Sequence, residues 1–453
     1  MSVLVDSIDH LAQSFTGRLV RPSDRDYEDL RRVHNGLIDK HPAIIARCHG
    51  VADVVDAVRL ARTLNLEVAV RGGGHNVAGL ATVDQGLVID LSPMKGIHVD
   101  AGAPTVRAEG GVLWRELNRE TQLHGLATTG GVVGSTGIAG LTLGGGIGWL
   151  MPKYGLALDN LRSADLVMAD GRVLRASEED NADLFWAIRG GGGNFGIAAS
   201  LEYNLHPVGP IIMGGAVVHP FGRAVDMLKF FRDTCAHIPD DMMLVADLQT
   251  APDGSNAKLA AIAMAHSGSL GEAERAVRPI KAFGPPIVDA LGPIPYSTLN
   301  TMLEPAFPKG ARNYWKAQLL TDLSDDAIYS IVRSFEACPS PMSHIIIEHL
   351  HGAASRVPVA STACTLRTTG FNVVIISQWS DADDTERGVA WARETFAALT
   401  PYLAPMRYVN YLEGDTKDAA AVAYGSNLTR LRDLKTKWDP ENFFQRNVNV
   451  LPG

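Results

Sequence analysis

The chain has few of the features that mark several common protein classes. Its four cysteines lie far apart and form no CxxC pair, which argues against a disulfide framework or a zinc site. No run of 18 apolar residues is present, which excludes a membrane-spanning helix. Residues 1–15 lack the basic start and apolar centre of a signal peptide, so we expect a cytoplasmic protein.

Positive charge is also in short supply. The 453 residues include 41 Lys and Arg against 50 Asp and Glu, a net charge of −9. This balance argues against nucleic acid and anionic membranes as partners, and it suits a neutral or cationic small molecule. With 46% hydrophobic and 20% charged residues, the composition is that of a globular protein with two or three domains.

Glycine, in contrast, is abundant and concentrated in three loops. The first loop follows the strand-like run Glu67–Val70 and reads Arg71-Gly-Gly-Gly-His75. Adjacent glycines allow a ligand to approach the backbone closely, and their N–H groups can bind phosphate oxygens. A plain glycine turn followed by a surface histidine is the alternative. A Rossmann unit is disfavoured, because Val77 breaks the G-x-G-x-x-G pattern.

The second and third loops are Gly130–Gly148 and Gly190–Gly196. A flexible linker is the alternative interpretation of the second loop, but its interleaved residues, such as Val132 and Leu141, are apolar. Linkers are usually polar, and glycine loses much backbone freedom on ordering. The pattern therefore favours a buried loop around a flat ligand.

Together the three loops resemble the flavin-binding half of the covalent FAD oxidases of the vanillyl-alcohol oxidase superfamily. The similar branch is the berberine-bridge-enzyme-like and 6-hydroxy-D-nicotine-oxidase-like group. The most specific match is Asp183-Leu-Phe-Trp-Ala-Ile-Arg-Gly-Gly-Gly-Gly-Asn-Phe-Gly196. The resemblance runs from about Ile44 to Glu202 and again from about Arg407 to Val450.

The resemblance implies an α+β fold. A PCMH-type FAD-binding domain of two α/β subdomains is expected at residues 1–210. An α+β substrate-binding domain with an antiparallel sheet is expected at 211–405, and residues 406–453 are expected to return to the FAD domain.

The alternation of strand-like and helix-like runs in residues 211–405 predicts a sheet with helices on one face. Strand-like runs are Ile211–His219, Met242–Leu248, Lys258–Ala265, Tyr314–Leu320, Ser343–His351 and Phe371–Trp379. Helix-like runs are Arg223–His237, Leu270–Phe283, Asp325–Phe335 and Thr385–Leu399.

The resemblance also implies FAD as the cofactor, attached to His75. Val133 stands where the family often has the cysteine of a second flavin bond, so we expect attachment through His75 alone. The resemblance places these further residues around the cofactor: Arg71, Gly72, Gly73, Gly74, Asn76, Gly79, Gly131, Val133, Ser135, Thr136, Gly137, Gly140, Leu143, Gly144, Gly145, Gly148, Gly196, Ile197, Asn447 and Asn449.

Two polar side chains are expected to line the substrate pocket. Asn372 and Gln378 lie an even number of residues apart on the predicted strand Phe371–Trp379, and therefore on one face of it. His349 and His351 also share a face, but a metal site would need a third ligand, and we expect no metal.

The catalytic base implied by the resemblance is a tyrosine. Tyr408-Val-Asn-Tyr411 resembles a family strand from which one tyrosine takes the substrate proton, and the family pattern favours Tyr411. Strand alternation would send Tyr408 to the opposite face. A phenol with a pKa near 10 is a weak base, so we expect a polar or cationic neighbour to lower that pKa. The sequence does not identify this neighbour.

These features predict an FAD-dependent oxidase. It would transfer a hydride from a CH–OH or CH–NH group of a small organic substrate to FAD, with O2 as the acceptor and H2O2 as the product. Thr136 stands where the family tunes oxygen access, and Ile147 where plant members often have Tyr. The alternatives are a dehydrogenase with another acceptor, an oxidative-cyclisation enzyme of natural-product biosynthesis and a non-enzymatic flavin-binding protein.

Overall fold

The computed structural model describes residues 15–453, and one strand of its first sheet leads into the first glycine loop. The sheet consists of β1 (Arg18–Val20), β2 (Ile44–Arg47), β3 (Val68–Arg71) and β4 (Leu87–Asp90). Its order is β1-β2-β4-β3, and β4 runs parallel to β2 and β3. The helices of this segment are α1 (Tyr27–Leu30) and α2 (Val51–Thr63). The prediction that no signal peptide is present concerns residues that, except for Phe15, lie outside the described part.

A second sheet and a short strand pair follow. Their strands are β5 (Ile97–Asp100), β6 (Thr105–Glu109), β7 (Leu126–Ala127), β8 (Leu161–Val167), β9 (Val173–Ser177), β10 (Ile197–Asn204) and β11 (His206–Pro207). The sheet is antiparallel in the order β5-β6-β10-β8-β9, and β7 pairs with β11. The helices are α3 (Trp114–Gln122), α4 (Ile138–Gly144), α5 (Met151–Tyr154) and α6 (Ala182–Ile188). The second and third glycine loops therefore flank this sheet.

A larger antiparallel sheet occupies the next part of the chain. Its strands are β12 (Ile211–Pro220), β13 (Met242–Thr250), β14 (Lys258–His266), β15 (Val288–Asp289), β16 (Gly292–Pro295), β17 (Arg312–Leu320), β18 (His344–Leu350) and β19 (Gly370–Trp379). The order is β15-β12-β14-β13-β18-β19-β17, and β16 pairs with β12. Each of the six predicted strands is present, within two residues of its predicted bounds.

The helices of this part are α7 (Ala224–Cys235), α8 (Leu270–Ala282), α9 (Tyr296–Leu299), α10 (Asp325–Glu336), α11 (Ala353–Arg356) and α12 (Thr385–Leu399). Local capping explains where two of them begin. Ser269 accepts a hydrogen bond from the Glu272 N–H at the start of α8, and Ser324 accepts one from Ala327 at the start of α10. The predicted α+β class with an antiparallel sheet is confirmed.

Strand alternation gives this sheet two different faces. One face, with Ile345, Ile347 and Val373, forms an apolar core with the long helices. The residues between them on the same strands, such as Ile346 and Val374, line a large cavity. The sheet therefore presents a wall to the site described below.

Residues after 405 pack against the first part of the chain. Helices α13 (Ala419–Tyr424) and α14 (Leu428–Trp438) contribute Tyr424 and Leu431 to the core that contains Trp114. The domain boundaries given above stay a prediction. No helix within residues 15–453 is long and apolar enough to cross a membrane.

A buried ion pair joins the ends of β3 and β4. Arg71 donates from Nε and Nη2 to the Asp90 carboxylate at 3.1 and 2.8 Å, and its Nη1 donates to the Leu30 carbonyl at 2.6 Å. Burial opposes ionisation of Asp90, yet the Arg71 guanidinium holds the pKa of that carboxyl below its usual value. Arg47 lies farther away, with its Nε 3.3 Å from Asp90. The pair fixes the point at which the first glycine loop begins.

Replacing Arg71 with Met leaves the buried Asp90 carboxylate without its bidentate partner. We expect the free energy of unfolding to fall by about 3 kcal/mol, because removing one partner of a buried ion pair is strongly unfavourable and the single longer contact from Arg47 replaces only part of it. Urea denaturation followed by circular dichroism measures the loss. Arg18→Met breaks an exposed ion pair with Asp26 and is the matched control, with no resolvable change expected. Equal losses in the two variants would contradict the role given to Arg71.

Candidate active site

The first glycine loop passes close to the second. A Cβ added to Gly73 would lie 2.3 Å from the Gly137 nitrogen, so a side chain there would collide with backbone. Gly74 has a φ of +68°, a conformation that glycine adopts without strain. Glycine is therefore required at both positions, and the two loops form one edge of the large cavity.

His75 is half-buried at this edge and lines the cavity. Its ring stacks on the ring of His34, with centroids 3.9 Å apart and planes 23° from parallel. Its Nδ1 lies 3.5 Å from the Thr136 hydroxyl oxygen. Burial lowers the pKa of His75 to about 3 and that of His34 to about 4. Both imidazoles are therefore neutral near pH 7, and a neutral imidazole nitrogen is a nucleophile.

Most of the residues predicted to surround the cofactor do line this cavity. Those that do are Gly72, Gly73, Gly74, His75, Asn76, Gly131, Val133, Thr136, Gly137, Gly140, Leu143, Gly144, Gly196, Ile197 and Asn447. Glycine backbone from all three loops thus meets apolar side chains in one cavity. N–H groups of the loops can bind phosphate oxygens, and the apolar surface can hold a flat ring. This arrangement fits FAD.

The remaining predicted cofactor residues do not line the cavity. They are Arg71, Gly79, Ser135, Gly145, Gly148 and Asn449. Arg71 is occupied by Asp90, and Gly148 packs so closely that a Cβ would lie 1.8 Å from the Gly130 carbonyl oxygen. Arg71 and Gly148 support the loops. A glycine-rich sequence does not show which of its positions line a cavity and which support the loop.

The opposite side of the cavity is formed by the large sheet. We call this surface the sheet wall, and its residues are Val245 on β13, Trp315 on β17, Ile346 and Glu348 on β18, and Val374 and Ile376 on β19. Glu348 is 5% exposed and lies opposite Val245 and Asn372 in the strand pairing. A carboxylate is thus placed within a mostly hydrocarbon surface.

Glu348 connects the sheet wall to the returning end of the chain. The Tyr411 hydroxyl donates to Glu348 Oε1 at 2.9 Å, and the Asn372 amide donates to Oε2 at 2.8 Å. Burial raises the pKa of Glu348 to about 6. Burial and the Glu348 charge raise the pKa of Tyr411 well above its usual value. The neighbour of Tyr411 is therefore a carboxylate, and the expectation of a group that lowers the tyrosine pKa is wrong.

Tyr408 and Tyr411 do not lie on a strand, which corrects the prediction. Val409–Tyr411 forms a 3-10 turn, closed by a 3.1 Å hydrogen bond from the Tyr411 N–H to the Tyr408 carbonyl. The two rings consequently contact each other, with centroids 4.9 Å apart, and do not point to opposite faces. Tyr408 is anchored at the start of this turn. The Tyr408 hydroxyl accepts hydrogen bonds from the Gly146 N–H and the Asn410 amide.

The two tyrosines differ in their access to the cavity. Tyr411 lines it, whereas Tyr408 is 2% exposed and lies outside the lining. Burial raises the pKa of Tyr408 above its usual value. A catalytic role for Tyr408 is therefore not supported, and its contacts are those of a packing residue.

The two predicted substrate residues have other partners. Asn372 does not line the cavity and instead orients Glu348. Gln378 is fully buried and donates to the Ala306 carbonyl at 2.9 Å, away from the cavity lining. Both were placed on the correct face of β19, but Gln378 lies beyond the cavity edge. The prediction that Asn372 and Gln378 line the pocket is wrong for both residues.

The cavity residues that the sequence analysis missed include three with titratable side chains, His34, Glu348 and Arg446. Glu348 had a usable signal, because an acidic residue directly after the apolar run Ile345–Ile347 is rarely buried without a role. His34 lies 41 positions before His75 with no motif around it. Within residues 15–453, no group of three His, Cys, Asp or Glu residues could hold a metal ion.

Comparisons with known proteins agree with this geometry. Residues 42–177 match the family model of an FAD binding domain, and residues 407–450 match that of berberine and berberine-like proteins. The (R)-6-hydroxynicotine oxidase of Paenarthrobacter nicotinovorans is 30% identical, with 97% of each chain covered.

Solved structures show the same fold. The 6-hydroxy-D-nicotine oxidase of Arthrobacter nicotinovorans has a TM-score of 0.89 at 29% identity, covering 97% of this chain and 98% of its own. A glucooligosaccharide oxidase from Acremonium strictum has a TM-score of 0.87 at 23% identity, with 99% of each chain covered. The chain therefore belongs to the berberine-bridge-enzyme-like FAD oxidases with a PCMH-type FAD-binding fold, and it is an FAD-linked oxidoreductase.

Proposed function

We propose that this protein oxidises a CH–OH or CH–NH group of a small organic molecule, with FAD attached to His75 and O2 as the electron acceptor. The observation that carries the proposal is the Glu348–Tyr411 pair, which lines the same cavity as His75. The proposed base and the proposed site of flavin attachment thus line one cavity. The related (R)-6-hydroxynicotine oxidase is also named as an oxidase.

FAD, when bound, would accept a hydride from the substrate carbon and pass two electrons to O2, giving H2O2. The chain itself must take up the substrate proton. Tyr411 is suited to this step, because its phenol oxygen can accept that proton while its own proton passes to Glu348 Oε1, which lies 2.9 Å from the phenol oxygen. Proton transfer along the pair avoids a free phenolate in a buried site. The Glu348 carboxylate is therefore the neighbour that activates Tyr411 in this proposal, the neighbour that the sequence did not identify.

Attachment of FAD through His75 rests on the state of its ring. The imidazole is neutral, its orientation is held by the His34 stack, and Thr136 lies beside Nδ1. The Acremonium strictum glucooligosaccharide oxidase is described as carrying 6-S-cysteinyl, 8α-N1-histidyl FAD. Val133 has no nucleophilic atom, and the pKa of Cys364 is raised by burial, so a cysteinyl bond is disfavoured here.

Replacing His75 with Ala should abolish acid-stable flavin. Wild-type protein should remain yellow after acid precipitation, and mass mapping should find FAD on the peptide that contains His75. His98→Ala is the matched control, because His98 is an exposed histidine on β5 and should leave attachment unchanged. Complete release of flavin from the wild type, or a flavin bond to a cysteine, would sink this prediction.

Tyr411→Phe should keep FAD bound but slow anaerobic flavin reduction by about 10²–10⁴-fold, the usual contribution of general-base catalysis. Tyr408→Phe is the matched control. It should change the rate less than tenfold and lower the free energy of unfolding by about 1 kcal/mol, since it loses its bond with Gly146. Stopped-flow absorbance measures both rates. A normal rate for Tyr411→Phe would place the base elsewhere.

The rate of flavin reduction should rise with pH and level off above about 6, the pKa of Glu348. The reason is that a protonated carboxyl cannot accept the Tyr411 proton. An alcohol substrate is used, because its hydroxyl does not titrate in this range. Flavin reduction in Glu348→Gln should be no faster than in the wild type at any pH, and its rate should not change near pH 6. Retention of that step in Glu348→Gln would assign the titration to another group.

A further inference from the structure

The composition of the sheet wall bears on which molecules can bind next to the flavin. Its residues come together through strand pairing, which places Trp315 opposite Ile376 and Val374 opposite Ile346. Five of its six side chains are hydrocarbon or indole, and Leu303 and Phe307 extend the apolar lining beside it. The surface is therefore suited to a ligand with little polarity.

The polar groups of this region are already paired within the protein. Glu348 accepts from Tyr411 and Asn372 at its two carboxylate oxygens. Asn313, which lies beside the wall, donates to the Ala311 carbonyl and accepts from the Trp315 indole N–H at 3.2 Å. A sugar would bury several hydroxyl groups against this surface without partners, at about 1–3 kcal/mol for each. Within the sheet wall itself, a hydroxyl or amine of the ligand finds its polar partner at the Glu348–Tyr411 pair.

Charge restricts the ligand further. Glu348 is the one ionisable group of the sheet wall, so an anionic ligand placed against this wall would meet a carboxylate. Lys316, next to Trp315 in the chain, binds Glu413 and Asp415. Arg446 also lines the cavity, but on the side of the first glycine loop, where its Nη2 donates to the Gly79 and Thr82 carbonyls and its Nε lies 3.8 Å from Glu67 Oε1.

Aromatic rings give the wall its shape. The Trp315 ring meets the Tyr411 ring edge to face, with centroids 5.9 Å apart and planes at 67°. Phe307 lines the same region. Flat rings of this kind favour stacked or edge-on contact with an aromatic ligand.

We infer that the substrate is a small aromatic alcohol or amine without an anionic group, and not a sugar. This inference rests on the proposed function for the reaction itself. The substrate would lose a hydride from carbon to FAD and a proton from oxygen or nitrogen to the Glu348–Tyr411 pair. The product is the ketone, aldehyde or imine, and O2 takes the two electrons.

The test uses the FAD-loaded protein and compounds matched in shape. The substrates are 1-phenylethanol, 1-phenylethylamine, mandelate and cellobiose, which separate alcohol, amine, acid and sugar. Anaerobic flavin bleaching measures reduction by each. Calorimetric titration with acetophenone, benzoylformate and glucono-1,5-lactone measures binding without turnover. We expect acetophenone to bind about tenfold or more tightly than the other two.

The outcomes separate this inference from the proposed function. Preferred binding of acetophenone with no bleaching by any substrate would support the ligand class and contradict the proposed function. Bleaching by cellobiose or mandelate as fast as by 1-phenylethanol would overturn the inference and leave the proposed function intact. Failure of acetophenone to bind at millimolar concentration would also overturn the inference.

A variant of Trp315 tests the aromatic contact directly. Trp315→Leu should weaken acetophenone binding by about three- to tenfold relative to cyclohexyl methyl ketone, because an aromatic pair is lost. Trp315→Phe keeps an aromatic ring and should retain most of the preference. Equal losses for the two ketones in Trp315→Leu would show that the wall recognises apolar volume and not an aromatic ring.

Discussion

The ion pair between Arg71 and Asp90 is the constraint on which the cofactor side of the cavity depends. Both side chains are buried, and the two residues face each other in the register of β3 and β4. The pair determines where the strand ends and where the glycines begin. Four residues later the chain has reached His75. A charged pair in the core thus sets the position of a neutral histidine at the cavity edge.

The substrate side depends on a second buried carboxylate. Glu348 comes from the large sheet, whereas Tyr411 comes from the returning end of the chain, 63 residues later. Burial destabilises the ionised form of Glu348, and the hydrogen bonds from Tyr411 and Asn372 offset only part of this destabilisation. A carboxylate with a raised pKa beside a phenol is an arrangement suited to proton transfer. It has no evident advantage for folding alone.

Local sequence signals predicted much of this structure. The glycine loops could be predicted from the sequence. At Gly73 and Gly137 the two backbones approach so closely that only glycine fits. The strands of the large sheet were predicted closely, because their apolar runs are bounded by turn residues. His75 was predicted to lie at the binding site because it directly follows the first loop, and it lines the cavity.

Contacts between distant segments could not be predicted in this way. The turn at Val409–Tyr411 depends on the anchoring of Tyr408 by Gly146, which lies 262 residues earlier. Nothing around His34 indicates that it stacks on His75, and strand alternation alone could not show that Gln378 lies past the cavity edge. These features arise from tertiary packing, and each concerns which side chain reaches the site.

The central claim is that one cavity holds FAD between His75 and the Glu348–Tyr411 pair. A crystal structure of the FAD-loaded protein with acetophenone bound tests it most directly. The account predicts continuous electron density from the His75 ring to the flavin, with the ketone oxygen facing the Tyr411 hydroxyl and the phenyl ring against the sheet wall. A flavin unattached to His75, or a ligand seated away from Tyr411, would contradict the account.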